Sequence, residues 1–307
     1  MFSFLKKKSS ADVLGIEISD KGISLAQAKP DENGQLKITL CLSANCEKSA
    51  HATQLKEWVN ANGLEGSGCH VVLPSAQYKT LPVEKPPVED AELVDAVRWK
   101  VKDLLDYPVE DAVIDVFEFP KDALRGRPEQ VSVVCSRAAT IQHVVNLISA
   151  SGLKLLTIDI IDLALRNLAA KLAETEHKTA ALLYLRPGHG AIVLVKGETL
   201  YFSRHFDFSV DALNDVEQQD NVIQHLALEV QRSFDYFDSQ MAQVPPQTLY
   251  LMGPSPNLPL ANMLGSSISA QVKMFDLSEL FGEKHKLSQD DINGFSAMGS
   301  ALKKGAD

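Results

Sequence analysis

The sequence predicts an α/β protein built from two related halves. Two similar segments, 13–28 and 181–195, each contain an apolar strand, a tight polar turn and a second apolar strand. Apolar runs on both sides of a short turn with glycine are typical of β-hairpins. A second correspondence is a buried-type strand that runs into a small-residue turn, at 71–75 and again at 249–255. The sequence therefore predicts the same supersecondary unit twice.

Apolar periodicity places the other elements between these landmarks. The first half is expected to hold strands at 12–19, 22–29, 35–43, 69–73 and 153–158, with helices at 51–62 and 159–172. A β-α-β-β-α unit interrupts it, with strands at 77–83, 112–119 and 130–137 and helices at 91–105 and 138–151. The second half is expected to hold strands at 180–185, 191–196, 199–206, 248–252 and 270–274, a long helix through 222–237, and helices at 257–265, 276–281 and 295–302.

These elements divide the chain into two predicted domains. The first half covers 1–178 and carries an inserted subdomain at 76–150, and the second half covers 179–307. A length of 307 residues leaves room for both and for a substantial core. We read 174–178 as the polar linker between them.

Composition excludes several function classes. A formal net charge of −10 disfavours nucleic-acid binding, which needs a basic surface. The four cysteines form no CxxC pair and no zinc-type cluster with histidine, which predicts reduced thiols and no metal site. Motifs of serine hydrolases, P-loop enzymes, dinucleotide-binding proteins and zinc proteases are missing from the sequence. No apolar run reaches the roughly 18 residues of a membrane span.

The first eight residues leave two interpretations open. Met1–Lys8 is not a signal peptide, because its apolar part is short and precedes the lysines. One interpretation is an unstructured tail. The other is peripheral membrane contact, in which Phe2, Phe4 and Leu5 enter the interface while the lysines meet anionic lipid.

A set of motifs, in order along nearly the whole chain, resembles the PilM family of cytoplasmic proteins from type IV pilus machines. The matching segments are 14–18, 96–100 (Ala-Val-Arg-Trp-Lys), 107–116, 151–160, 228–237 and 295–302. Each motif alone is weak, and the ordered set is specific. The likeness is greatest to the branch that serves MSHA pili. The L protein of type II secretion shares this architecture and is the family most easily confused with it.

The resemblance implies a fold, a location and partners. The fold is the actin-like (ribonuclease-H-like, duplicated) ATPase fold, with the small subdomain inserted in the first half. The implied location is cytoplasmic and peripheral to the inner membrane. The implied function is that of a scaffold docking the cytoplasmic N-terminal peptide of a PilN-like single-pass membrane protein. Other platform proteins and the assembly ATPase are further implied partners.

The resemblance also implies a docking groove between the main body and the inserted subdomain. We expect Tyr78, Leu81, Val83, Arg98 and Trp99 to line it. An extended peptide can add to a sheet edge there and place alternate side chains in pockets. Trp99 is the sharpest candidate because aromatic residues often anchor interfaces. The alternative is that it packs on the sheet of the subdomain.

Duplicated halves of this type commonly hold a nucleotide between their hairpin turns, and the family pattern is acid-x-Gly twice, then Gly-Gly. The first turn offers Glu17 and Ser19, so the acid is present and the glycine is replaced. Glu17 is either a ligand of metal-bound water or a solvent-facing carboxylate. In the second turn, Leu185 stands where an acid is needed, and Pro187 has no N–H for phosphate.

What remains at the second turn is Gly188 and His189, and at the third element Gly253, followed by another proline. Arg186 either meets phosphate or is a solvated strand end. The segment 209–219 leaves only a short lid over a nucleotide base. The sequence therefore predicts a vestigial nucleotide cleft, no catalytic residues, and no cofactor, with ATP and magnesium disfavoured. The alternatives are an actin-like protein whose nucleotide state gates pilus assembly, and a small-molecule kinase.

Overall fold

The computed structural model describes residues 13–124, 126–172, 178–253, 259–281 and 288–303. The predictions for Met1–Lys8, for most of the linker at 174–178 and for the residues directly after Gly253 lie outside these ranges. No helix within them is long and apolar enough to cross a bilayer.

The first sheet has five strands and carries the first hairpin. Its strands are β1 (Val13–Ser19), β2 (Gly22–Pro30), β3 (Leu36–Asn45), β4 (Gly68–Leu73) and β8 (Lys154–Ile160). Their order is β3-β2-β1-β4-β8, antiparallel through the hairpin and parallel from β1 to β8. The parallel strands are nearly continuous apolar runs, as strands covered on both faces are. Helix α1 (His51–Ala61) lies between β3 and β4 in sequence.

The second sheet repeats this arrangement. Its strands are β9 (Ala180–Arg186), β10 (His189–Lys196), β11 (Thr199–Phe206), β12 (Thr248–Met252) and β13 (Gln271–Met274). The order β11-β10-β9-β12-β13 matches the first sheet strand for strand. The helices around it are α5 (Val210–Asn214), α6 (Gln219–Met241) and α7 (Leu260–Gly265). The predicted duplication is therefore confirmed.

The inserted unit has the predicted β-α-β-β-α order. It comprises β5 (Tyr78–Glu84), α2 (Leu93–Val101), β6 (Ala112–Glu118), β7 (Gln130–Arg137) and α3 (Ala138–Ala150). The sheet order is β5-β7-β6, so both β5 and β6 are edge strands. Helix α2 covers one face, where Val97, Val101 and Val133 form a small separate core. Pro82 is tolerated because an edge strand does not need every N–H.

Two helices connect the halves at the base of the cleft. Helix α4 (Ile161–Ala169) leaves β8 and contacts β9, β10 and β11. Helix α9 (Phe295–Ala301) packs on α4 and on β1, β2 and β4 of the first sheet. The end of the chain thus packs on the first half, although the predicted division at 178/179 assigns it to the second half. That division otherwise stays a prediction.

Several expected helices differ from the observed ones, and some short helices were not predicted. The helix expected from 159 begins at Ile161, because β8 continues through Ile160. The helix expected at 276–281 is a single 3-10 turn, Leu277–Glu279. A short helix, α8 (Gln289–Asn293), was not predicted; it begins with a capping box in which Ser288 and Asp291 bond each other's backbone N–H.

Helix α9 packs closely because of two glycines. A Cβ on Gly15 of β1 would collide with the backbone oxygen of Ala297. A Cβ on Gly299 of α9 would collide with the backbone oxygen of Ala164 on α4. Neither obstacle is a side chain that could rotate away. The small residues at the end of the chain are therefore a packing requirement.

We expect Gly299→Ala to lower the free energy of unfolding by at least about 2 kcal/mol, because the backbones must separate. Gly265→Ala in α7 is the matched control, since its Cβ would meet Val272 only at an ordinary 3.7 Å. The control should gain up to about 1 kcal/mol from helix propensity. Urea denaturation measures both. Equal effects of the two substitutions would contradict this account.

Candidate functional site

The tips of the two hairpins meet between the halves. The first turn is Asp20–Lys21 and the second is Pro187–Gly188. Lys21 Nζ donates to the carbonyl oxygen of Pro187 at 3.4 Å. Gly188 has φ 85°, so the second turn needs a residue without a Cβ. A cavity of about 600 Å³ opens beside these turns and has walls from both halves.

A buried ion pair joins the halves beneath the turns. The carboxylate of Glu17 accepts hydrogen bonds from the Arg186 guanidinium and from the Ser296 hydroxyl of α9. Glu17 is only 1% exposed. Its negative charge, together with Tyr184, raises the pKa of Arg186. Burial raises the pKa of the adjacent Tyr184 phenol to about 12, so it stays neutral.

This ion pair corrects the interpretation of Glu17 as a solvent-facing strand end. The carboxylate is buried, and its two oxygens accept from Arg186 and Ser296. Arg186 is likewise not a solvated strand end. The signal in the sequence is an acid and a cation near the ends of the equivalent strands β1 and β9, but no local pattern indicates that the two side chains pair.

The other predicted cleft residues have structural contacts. The Ser19 hydroxyl donates to the carbonyl of Gly22 at 3.1 Å, within its own turn. Leu185 is buried in the core of the second half. Gly253 has φ 145°, and a Cβ there would collide with the Leu185 backbone. Gly253 is thus required by packing between β12 and β9.

The cleft does not fit a magnesium-bound triphosphate. Its acid is neutralised by Arg186, its second acid position is Leu185, and Pro187 has no N–H to offer. Across the described ranges, no group of three or more His, Cys, Asp and Glu side chains could hold a metal ion. Arg186, the cation beside the second turn, is paired with Glu17.

A chain of polar side chains lies nearby and joins three parts of the molecule. Tyr78 of β5 donates to Asp162 of α4, which also accepts from His205 Nε2 of β11 at 2.9 Å. His205 Nδ1 is 3.3 Å from His189 Nε2, and His189 approaches the Ser75 hydroxyl. His189 therefore belongs to this side-chain cluster. Sequence patterns missed this cluster because its members are far apart along the chain.

The pKa shifts in this cluster favour a neutral His189 beside an ionised Asp162. Burial, followed by the charges of His205 and Arg186, lowers the pKa of His189 to about 4. Burial would raise the pKa of Asp162, but hydrogen bonds from His205 and other neighbours lower it overall. Burial raises the pKa of the Tyr78 phenol.

The cluster does not have the geometry of a nucleophilic triad. Ser75 Oγ lies almost equally far, 3.3 and 3.4 Å, from the two ring nitrogens of His189. A hydroxyl that is activated by a base needs one short, directed hydrogen bond. The second histidine also separates His189 from the carboxylate. The arrangement is suited to holding the insert, α4 and the second sheet together.

The five predicted groove residues fall into different environments. Tyr78 and Val83 are interior side chains, contrary to the prediction that they line a groove, because one bonds Asp162 and the other fills the core under α2. Leu81 is partly buried against the same core. Arg98 donates to two backbone carbonyls in the segment before and at the start of β6. Trp99 is 69% exposed, so the alternative in which it packs on the sheet is wrong.

The matched sheets, the crossing helices and the facing hairpins define the actin-like fold, and solved structures agree. The chain resembles the PilM–PilN type IV pilus biogenesis complex with a TM-score of 0.76 and 20% identity, over 94% of this chain and 97% of that chain. It resembles the cytoplasmic domain of EpsL, an inner-membrane component of the Vibrio cholerae type II secretion system, with a TM-score of 0.54 and 14% identity over 88% and 92% of the two chains.

A Bacteroides thetaiotaomicron protein with an actin-like ATPase fold is also similar, with a TM-score of 0.52 and 12% identity over 91% of this chain and 97% of that chain. No protein-family profile and no curated protein sequence matches the chain. At these identities the likenesses establish the fold. The predicted fold class is therefore confirmed.

We expect Arg186→Ala to lower the free energy of unfolding by about 3–5 kcal/mol, because it leaves Glu17 as a buried unpaired charge. Urea denaturation at neutral pH measures the loss. The double variant Glu17→Gln/Arg186→Ala should recover a large part of it, since no charge then remains buried. An Arg186→Ala variant as stable as the parent protein would contradict the pairing.

Acid should weaken the protein through His189. Its pKa is about 4 when folded and ordinarily 6.5, so between these values the unfolded chain binds the extra proton. We therefore expect the free energy of unfolding to fall as pH is lowered from 6.5 to 4. His189→Gln should reduce this slope, whereas the exposed control His143→Gln should not. Denaturation at a series of pH values tests this, and equal slopes for both variants would refute it.

Proposed function

We propose that this protein is a non-catalytic scaffold of a type IV pilus machine and docks a PilN-like membrane protein. The observation that carries the proposal is the likeness to the PilM–PilN complex over 94% of the chain. The ordered sequence motifs support the same reading independently of the three-dimensional comparison. In this role the protein binds its partners through its surface.

Two finer parts of the proposal rest on the sequence motifs. The first is that the pilus is of the MSHA type, so that the protein corresponds to the MSHA biogenesis protein MshI. The second is a location on the cytoplasmic side of the inner membrane, held there by the PilN-like partner. Other platform proteins and the assembly ATPase are partners in the same proposal.

The non-catalytic part of the proposal is supported by the cleft. A nucleotide-gated protein of this fold needs phosphate to tie the two halves together. Here Arg186 and Glu17 form that tie within the chain itself. The joint between Tyr78, Asp162 and His205 adds a second connection that needs no ligand. These contacts connect the halves through side chains of the chain itself.

The inserted subdomain offers the surface for docking. Trp99 near the end of α2 and Leu104 in the turn after it are exposed large apolar side chains, and Lys102 lies over the Trp99 ring at 5.8 Å from its centroid. Exposed aromatic residues on a rigid helix make effective interface anchors. Strand β5 is a sheet edge, to which an extended peptide can add.

A second exposed apolar set follows the boundary between the insert and the main body. Val113 of β6, Val145 of α3 and Leu156 of β8 are all exposed, and α3 contacts both strands. Side chains of this kind are commonly covered by a partner when they recur on adjacent elements. Substitutions in the two surfaces distinguish a peptide that binds at Trp99 from one that binds along this boundary.

We expect Trp99→Ala to abolish binding of a synthetic peptide that copies the cytoplasmic N-terminus of the proposed PilN-like partner. The loss should be at least about 2 kcal/mol, or about thirtyfold in affinity, as for an anchoring residue. Isothermal titration calorimetry measures it. Thermal unfolding should be nearly unchanged, because the side chain packs little against its own fold.

Tyr236→Ala is the matched control, since Tyr236 is an exposed aromatic residue on α6 of the other half. It should leave the peptide affinity unchanged. Val113→Ser and Leu156→Ser should weaken peptide binding if the peptide follows the boundary set. Adding MgATP should not alter the affinity of the parent protein. Unchanged binding by the Trp99 variant would reject the anchor, and a strong effect of MgATP would favour a nucleotide-gated protein.

A further inference from the structure

One side of helix α6 carries large side chains that the rest of the fold leaves exposed. Leu228, Arg232 and Tyr236 recur every four residues, so they lie on the same side of the helix. Leu228 is 45% exposed and Tyr236 is 39% exposed. Large apolar side chains that are exposed next to one another commonly mark a contact surface.

Strand β11 extends this surface from the helix toward the edge of the second sheet. The ring of Phe202 lies beside that of Tyr236, with the two centroids 5.1 Å apart. The Arg204 guanidinium lies over the Phe202 ring, 5.5 Å from its centroid. What we call the β11–α6 surface consists of Phe202, Arg204, Leu228, Glu229, Arg232 and Tyr236.

Two arginines and one glutamate leave this surface with a positive charge in excess. Arg232 Nη1 donates to one carboxylate oxygen of Glu229 at 3.1 Å, and Arg204 Nη1 lies 3.5 Å from the other. The two guanidiniums thus share a single carboxylate, on a chain whose formal net charge is −10. A guanidinium presents a planar fork of N–H donors that fits a carboxylate. The surface is therefore suited to a further carboxylate from outside.

The internal duplication shows how a strand in this position is covered. Strand β11 corresponds to β3, because each is the outermost strand on the hairpin side of its sheet. At β3, the Ile38 N–H donates to the Leu280 carbonyl oxygen at 2.8 Å, and the Ser43 hydroxyl donates to the Asp290 carboxylate at 2.6 Å. Leu280 itself is buried in the core. The cover of β3 thus brings apolar side chains, a backbone acceptor and a carboxylate.

Strand β11 has no equivalent cover within the described ranges. There, the backbone groups of Thr199–Phe206 form backbone hydrogen bonds only with β10. Residues 201–206 are all half-buried. The strand and the helix beside it offer aromatic rings next to Arg204 and Arg232. A chain segment with apolar side chains around a carboxylate matches this combination.

We propose that the β11–α6 surface docks an extended segment of a protein partner that carries a carboxylate between apolar side chains. The acidic side chain lies between Arg204 and Arg232, and the apolar ones lie on Phe202, Leu228 and Tyr236. A symmetric contact with a second copy would bring two positively charged surfaces together, so the charge favours a different chain. The surface belongs to the second half, whereas the docking surface proposed above belongs to the insert, so the two are occupied independently.

Selection from a phage-displayed library of random short peptides on the full chain tests the proposal. The enriched peptides should combine apolar with acidic residues, and isothermal titration calorimetry then measures their affinities. We expect Arg232→Gln and Tyr236→Ala each to weaken binding at least about fivefold, because the first removes the charge partner and the second the aromatic contact. Gln231→Ala, at an exposed position about 100° around the helix from Arg232, is the control and should leave binding unchanged.

A charge exchange separates a direct contact from a structural effect. Arg232→Glu should abolish binding of an acidic peptide, and replacing the acidic residue of that peptide by lysine should restore a part of it. No recovery would reject the proposed position of the carboxylate. The whole proposal is overturned if no peptide is enriched, or if the enriched peptides bind the Arg232 and Tyr236 variants as tightly as the parent protein.

Two further outcomes identify a different occupant or a different site. If every enriched peptide loses affinity only with Trp99→Ala, the β11–α6 surface is rejected and the function proposed above stands. Sedimentation velocity of the parent chain measures self-association. A dimer that Tyr236→Ala dissociates would make a second copy the occupant, and it would likewise overturn the proposal.

Discussion

The ion pair between Arg186 and Glu17 is the interaction on which the arrangement of the two halves depends. It joins the strand ends of equivalent sheets and is completed by a hydroxyl from α9, so three separate segments meet at one carboxylate. Charges buried in this way are stabilising only while each has its partner. The pair therefore constrains both hairpins and the returning end of the chain.

The inserted subdomain is held from two sides. On one side, Tyr78 bonds Asp162, which bonds His205 of the second half. On the other side, Tyr201 of β11 donates to the Asp122 carboxylate at 2.9 Å, and Ala123 is buried in the core of the second half. A surface used for docking is most effective when its support is rigid, because less conformational freedom is lost on binding. The contacts that fix the insert thus suit a scaffold.

The cleft and the surface around Trp99 differ in chemistry within one fold. At the cleft, Arg186 is paired with Glu17 beside a cavity, whereas the insert exposes Trp99 on a helix whose opposite side forms a packed core. Similar folds carry unrelated functions because function resides in such local sites. The likeness to PilM–PilN establishes the fold and carries the functional proposal, and the residues of these two regions are where the proposal is tested.

The sequence by itself determined the duplicated hairpins, the order of strands and the inserted unit, because strand periodicity and turn residues act over a few positions. It also indicated that Leu185 and Pro187 are unsuited to phosphate. Only the tertiary structure decided that Glu17 pairs with Arg186, that Tyr78 is buried against Asp162, and that α9 returns to the first sheet. These contacts join residues more than 80 positions apart. Local sequence patterns do not predict which distant side chains will be in contact.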